Sequence, residues 1–283
     1  ISGVLTLSGA GTQLLSTGTG AWQFPNGTTA QRPSNPGNGA MRYNTTLGYV
    51  EFYFLGFWIN AENNKGGVPM EGLELLIDVG NPDSWNGSTL TDLSTRGTTI
   101  TLSGVTEQTS STGSKYLTGG TSSYITIPLN VSSVTSNNYT VMTTSGFNGG
   151  SRGRITASGP GGNNWLLGHH GGLDVCYYAE GWIIDDNSDG GGGANNQWAT
   201  HTGTGQTQGL VNINDWQYWK NGGLRYGQNF QGGTNGPTSL CIGAFNDGEP
   251  SDWKWQFLAV WNRVLSEDEI RDLAGAISNR GGF

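Results

Sequence analysis

Residues Leu240 to Ile270 read LCIGAFNDGEPSDWKWQFLAVWNRVLSEDEI, and this stretch decides the fold class. Its second half is a long strand running straight into a helix. Trp253, Trp255, Phe257 and Trp261 share one parity, so period-two alternation sets a ladder of rings on one side of that strand, as sandwich core or interface. Ser266 followed by Glu269 forms an S-x-x-E capping box, and Glu267 and Asp268 suit the positive end of the helix dipole. Ile270, Leu273, Ala274 and Ile277 then make one apolar stripe, and Arg280 and Gly281 end the helix.

Upstream, from Gly72 onward, short apolar runs such as LELLIDV, TTITLSGV, YITIPL, YTVMTT and LDVCYYA alternate with Gly, Asn, Ser and Asp clusters. Regular short strands of this kind predict a two-sheet sandwich. The 49 glycines among 283 residues and the 12% of charged residues describe a turn-rich, helix-poor chain. Eleven tryptophans supply rings large enough to fill its core. The unit over 72–283 also resembles the laminin G-like, concanavalin A-type jelly rolls. The resemblance rests on GLELLIDVGNPDSWNGSTLTDLS at Gly72 to Ser94, on YLTGGTSSYITIP at Tyr116 to Pro128, and on the Leu240 to Ile270 stretch, whose WNRVLSEDEI stands where that family ends "YNRALSxxEI". It implies an all-β jelly-roll sandwich with one short C-terminal helix. Trp255 to Leu258 replace the family's acidic pair, so functions carried by those acids are not implied.

Residues 1–59 form a separate unit, and 60–71, polar and Gly-rich, read as a linker. In the first unit, Met41 to Asn44 and Tyr49 to Phe54 predict a hairpin around Thr-Thr-Leu-Gly. Val50, Phe52 and Phe54 point one way and Tyr49, Glu51 and Tyr53 the other, so a lone hairpin exposes aromatic rings on both faces. The run Gly27 to Trp58, GTTAQRPSNPGNGAMRYNTTLGYVEFYFLGFW, resembles a module of bacteriophage tail and head fibres. That resemblance implies a virion structural protein, located on the particle and assembled in the host cytoplasm. It makes Arg32, Arg42, Tyr43, Val50, Phe52, Tyr53, Phe54 and Trp58 the assembly residues. The implied partners are sister chains, as a trimer, and other virion proteins.

A net charge of -8 argues against a phosphate-binding surface, so nucleic acid is not an expected partner. No apolar run approaches the ~18 residues of a membrane span, so no membrane insertion is expected. Cys176 and Cys241 lack metal-type spacing and are read as buried thiols, with pairing left open.

Five patterns bear on chemistry. The E-x-D-x-x-E strand motif of related glucanases is absent, which counts against a polysaccharide hydrolase. Gly149 to Gly153 matches G-x-S-x-G, but the adjoining RITASGPGG reads as strand and turn, where a nucleophile elbow needs a helix. No catalysis is expected. Asp185, Asn187 and Asp189 with the carbonyl of Gly191 match the first half of a calcium loop, while Asn196 stands where a bidentate Glu belongs. Trp182 and Trp198, flanking that loop, are the candidates to stack on a sugar face. His169 and His170 should project to opposite sides of a strand, and neither forms metal-ligand spacing with His201. The leading expectation is a non-enzymatic phage fibre, knob or head-decoration protein displaying its jelly roll outward. The alternative is a carbohydrate-binding adhesin for a host-surface glycan.

Overall fold

The structure, a computed structural model, describes residues 24–34, 36–46, 48–54, 56–60, 67–129, 138–159, 161–185, 197–205, 217–225, 236–243 and 248–281. The first unit is a four-stranded sheet of β1 (Asn26–Gly27), β2 (Met41–Asn44), β3 (Tyr49–Phe54) and β4 (Phe57–Asn60), in that order. β2 and β3 are the expected hairpin, in the register Met41 to Phe52 and Asn44 to Tyr49. Gly48, with φ 78°, takes the left-handed conformation that its connection requires. β4 extends the hairpin, and β1 lies parallel to β2.

The two faces of this sheet are stabilised differently. On one, Glu51 is fully buried and its carboxylate receives Arg32 Nη2 at 2.5 Å, Asn44 Nδ2 at 3.0 Å and, at 3.5 Å, the ion-pair partner Arg42 Nε. On the other, Phe52, Phe54 and Ile59 join the apolar cluster on the main domain. The cover expected from sister chains thus comes in part from this chain. Val68 is buried in the same cluster and the Pro69 carbonyl accepts Trp261 Nε1 at 2.7 Å, so the end of the stretch read as a linker is packed.

The main domain is built from β5 (Leu73–Asp78), β6 (Thr101–Ser103), β7 (Thr106–Thr109), β8 (Lys115–Gly119), β9 (Tyr124–Ile127) and β10 (Thr140–Arg152). There follow β11 (Thr156–Ser158), β12 (Trp165–His170), β13 (Leu173–Ala179), β14 (Trp182–Asp185) and β15 (Ala199–Thr204). β16 (Tyr218–Lys220), β17 (Gly223–Arg225), β18 (Leu240–Gly243), β19 (Ser251–Trp261) and the helix α1 (Glu267–Gly281) complete it. The back sheet runs β17-β16-β15-β10-β19-β8-β7 with β5 also paired to β19, and the front sheet runs β14-β13-β12-β11-β18-β9-β6. Every pairing within the two sheets is antiparallel. This is the jelly-roll sandwich with a C-terminal helix that the sequence implied.

The ladder of rings on β19 does not stay on one side. Thr144 pairs with Phe257 while Ser145 pairs with Trp255, so Gln256 is an extra residue and the strand changes parity there. Trp253 and Trp255 enter the core between the sheets, whereas Phe257 and Trp261 face outward, under α1. Gln256 Nε2 is held by Ser114 Oγ at 2.7 Å and the Lys115 carbonyl at 2.9 Å. α1 starts as expected, with Ser266 N–H donating to Glu269 Oε2 at 2.8 Å and Ser266 Oγ accepting from Glu269 N–H at 3.3 Å. Ile270, Leu273, Ala274 and Ile277 are all buried, and Arg280 reaches back to the buried Asp78.

The space between the sheets is apolar but laced with polar groups that satisfy one another. Trp165 Nε1 donates to Tyr139 Oη at 3.1 Å, the Tyr139 and Tyr177 hydroxyls meet at 2.6 Å, and Tyr177 donates to the Thr204 carbonyl at 3.0 Å. Burying these hydroxyls is tolerable because each has a partner. Cys176 and Cys241 are both buried and unpaired with one another.

Candidate functional site

The outer face of the front sheet gathers the chemistry. On β13, Tyr177 and Ala179 point into the core, so Tyr178 between them points out. Tyr178 pairs in register with Trp182 of β14, and their rings meet edge to face at 5.1 Å. The ring of His170, at the end of β12, lies 5.5 Å from that of Trp182 at an interplanar angle of 37°. All three side chains are half-buried, leaving ring surface at the protein boundary.

A polar rim borders these rings. His170 Nε2 is 3.0 Å from Glu249 Oε1, and Glu249 Oε2 accepts from Arg154 Nε at 2.5 Å. Arg154 Nη1 donates to Asn164 Oδ1 at 2.7 Å, and the Asn164 N–H is held by Glu180 Oε1 at 2.9 Å. Burial alone would raise the Glu249 carboxyl, but the hydrogen bonds from His170 and Arg154 and the Arg154 charge outweigh it and hold it below the usual range. Glu249 is therefore an ionised acceptor at neutral pH. Beneath the rings, Cys176 Sγ lies 3.9 Å from Asp185 Oδ1. Burial and then the charges of Asp185 and Asp174 push its thiol up, which favours the protonated form at neutral pH.

Of the residues singled out from sequence, Trp182 sits at the centre of this cluster. Trp198 does not join it. Its ring meets Tyr116 edge to face at 5.2 Å and lies 4.8 Å from Lys254 Nζ. Lys254 stands between the inward Trp253 and Trp255, so Trp198 belongs to the outer face of the back sheet, across the sandwich from Trp182. Asp185 is exposed at the end of β14, while Asn187, Asp189 and Gly191 lie outside the described residues. No group of three metal-ligating side chains occurs among the described residues. In the small sheet, Arg32 and Arg42 pair with Glu51, Arg42 also lies over the Trp58 ring at 5.8 Å, and Tyr53 meets Trp58 at 5.4 Å. Phe52 and Phe54 pack on the main domain, Val50 is half-buried, and Tyr43 is exposed.

Sequence reasoning missed His170, Tyr178, Arg154, Asn164 and Glu249 as members of one site. The alternation of β12 and β13 carried a signal for the first two, which lie opposite in parity to buried neighbours. Nothing local linked Arg154 to Glu249, 95 residues apart in the chain. As predicted, His169 and His170 diverge, His169 turning inward to Ser145 Oγ at 3.0 Å. Ser151 of the G-x-S-x-G match lies in β10, with its N–H on Asp252 Oδ2 at 2.9 Å, and a turn comes next in place of a helix. A separate cavity of about 680 Å³ is lined by Arg96, Thr98, Thr99, Pro128, Thr238 and Ser239 among others, and none of its described lining residues is aromatic.

No protein-family model matches this chain, and no curated protein matches it. Solved structures do. The binding domain of Paraclostridial Mosquitocidal Protein 1 aligns with a TM-score of 0.53 at 14% identity, over 74% of this chain and 53% of that one. The receptor binding domain of botulinum neurotoxin D aligns with a TM-score of 0.50 at 15% identity, over 72% of this chain and 52% of that one. This chain thus spans about half the length of these structures. Similarity at such low identity shows a shared all-β fold, used there in binding domains.

Proposed function

We propose that this protein is a non-enzymatic binding module that presents the Trp182 face to a glycan on a host surface. The observation that carries the reading is the half-buried ring cluster of Trp182, Tyr178 and His170, bordered by Glu249, Arg154 and Asn164 already held by hydrogen bonds. Sugars need such a pairing of a flat apolar surface with fixed polar groups. The fold shared with toxin binding domains agrees with this role. A glycan array probed with the full chain and with Trp182→Ala tests it. Loss of retained glycans in the variant, with unchanged melting, is the expected result; no retention by the wild type removes the reading.

The resemblance of Gly27 to Trp58 to phage fibre modules supports a place for this module on a virion, as fibre, knob or head decoration, with residues 1–59 as the attachment unit, 60–71 as linker and 72–283 as the displayed domain. Self-association, as a trimer, and contact with other virion proteins belong to the same proposal. Phe24, Met41 and Tyr43, three of the four large apolar side chains exposed among the described residues, lie in that unit and support it. Light scattering on the full chain, and mass spectrometry of purified particles, test the two parts separately.

A further inference from the structure

Resting on the proposed glycan binding, we infer that the ligand of the Trp182 face is an uncharged saccharide, and that Glu249 enforces this choice by occupying Arg154.

Recognition of a carboxylated sugar by arginine relies on two parallel N–H groups offered to one carboxylate. Here Arg154 Nε is already taken by Glu249 Oε2 at 2.5 Å and Nη1 by Asn164 Oδ1 at 2.7 Å. A second carboxylate would arrive beside an ionised one. The neighbouring charges do not relieve this. Lys220 is paired with Asp174 at 2.9 Å, and the Arg152 guanidinium lies over the ring of buried Phe147 at 5.9 Å. Asp185, exposed beside Cys176, and Glu180, holding the Asn164 N–H, add negative charge to the same face. The whole chain carries a net charge of -8 in the same direction. A neutral sugar meets no such opposition. Its hydroxyls can donate to the Glu249 carboxylate, which only accepts, while a C–H face lies on Trp182. Like-charge juxtaposition of this kind rejects wrong partners more than it strengthens right ones.

The test is titration of the full chain, in EDTA and at low salt, with a neutral oligosaccharide retained on the array and with its sialylated or uronate-bearing counterpart. The carboxylated form should bind roughly tenfold more weakly, and raising the salt should shrink that gap because the opposing charges are partly exposed. In Glu249→Gln, which frees the Arg154 charge, the ratio of carboxylated to neutral binding should rise by roughly tenfold. Equal or tighter binding of the carboxylated form by the wild type overturns the inference while leaving the glycan reading in place. An unchanged ratio in folded Glu249→Gln overturns it as well. If that variant does not fold, the salt dependence decides: a gap that does not shrink shows that charge is not the cause. Retention of neither class removes the glycan reading and this inference together.

Discussion

His201 Nε2 lies 3.2 Å from His169 Nδ1, between the two sheets and out of contact with solvent, so the two rings have room for one proton between them. The other nitrogen of His201 is 2.7 Å from the Tyr218 hydroxyl, which reaches the Asp174 carbonyl, and Ser145 Oγ flanks His169. A proton on each of the two facing nitrogens would turn the shared hydrogen bond into a repulsion.

Acid should therefore destabilise the sandwich. Burial, then the charges of Lys220 and Lys254, bring His169 down from 6.5 to about 3, and burial with His169 and Lys220 lowers His201 likewise. The folded state binds fewer protons than the unfolded chain below pH 6.5. Stability is thus full above that pH and is lost as pH falls toward 3, with His169 costing about 1.4 kcal/mol for every pH step of one across that window and His201 acting in the same direction. Melting temperatures measured from pH 7 to pH 4 should fall more steeply in the wild type than in a folded His169→Gln variant. Parallel slopes would show that the pair does not govern acid stability.

Trp182→Ala should abolish glycan retention, whereas Trp198→Ala should leave it intact, because the two rings occupy opposite outer faces. Equal loss in both variants, with both folded, would mean that the ligand is not read by the front face.

Glu51→Ala should loosen the small sheet selectively. It leaves Arg42, 5% exposed, without its counter-charge, and breaking a buried pair from one side costs about 3 to 5 kcal/mol. Hydrogen exchange should rise across β2 and β3 while the sandwich strands stay protected. Unchanged exchange there would show that the Arg32, Arg42 and Glu51 network contributes little.

Ser266→Ala should cost about 1 kcal/mol, since it removes the acceptor for the Glu269 N–H at the start of α1. An unshifted melting temperature would argue that the Arg263 to Glu269 ion pair, at 2.7 Å, secures the helix start by itself.

Calcium titration into the wild type should show weak binding, with a dissociation constant on the order of 10⁻⁴ to 10⁻³ M, that is absent from Asp185→Ala with Asp189→Ala. Equal heats in the two proteins would leave the stretch after Trp182 as a solvated acidic turn.

What the sequence determined by itself is local. Short apolar runs between Gly, Asn, Ser and Asp clusters marked most of the strands, Thr-Thr-Leu-Gly marked the hairpin turn, and Ser266 with Glu269 and the stripe from Ile270 to Ile277 marked the helix and its buried face. Each of these is written within one or two turns or one strand, where periodicity and capping act. What only the tertiary structure decided depends on which strands are neighbours. A single extra residue, Gln256, sends Trp253 and Trp255 to one side of β19 and Phe257 and Trp261 to the other, and no pattern in the run WKWQFLAVW announces it. The order of the front sheet brings His170, Tyr178 and Trp182 together, while the fold places Trp198 across the sandwich although it is only 16 residues from Trp182. The pairing of Arg154 with Glu249, like that of His169 with His201, joins residues far apart in the chain. Their proximity is set by sheet order and by the face each side chain takes, and a slip of one residue inverts that face.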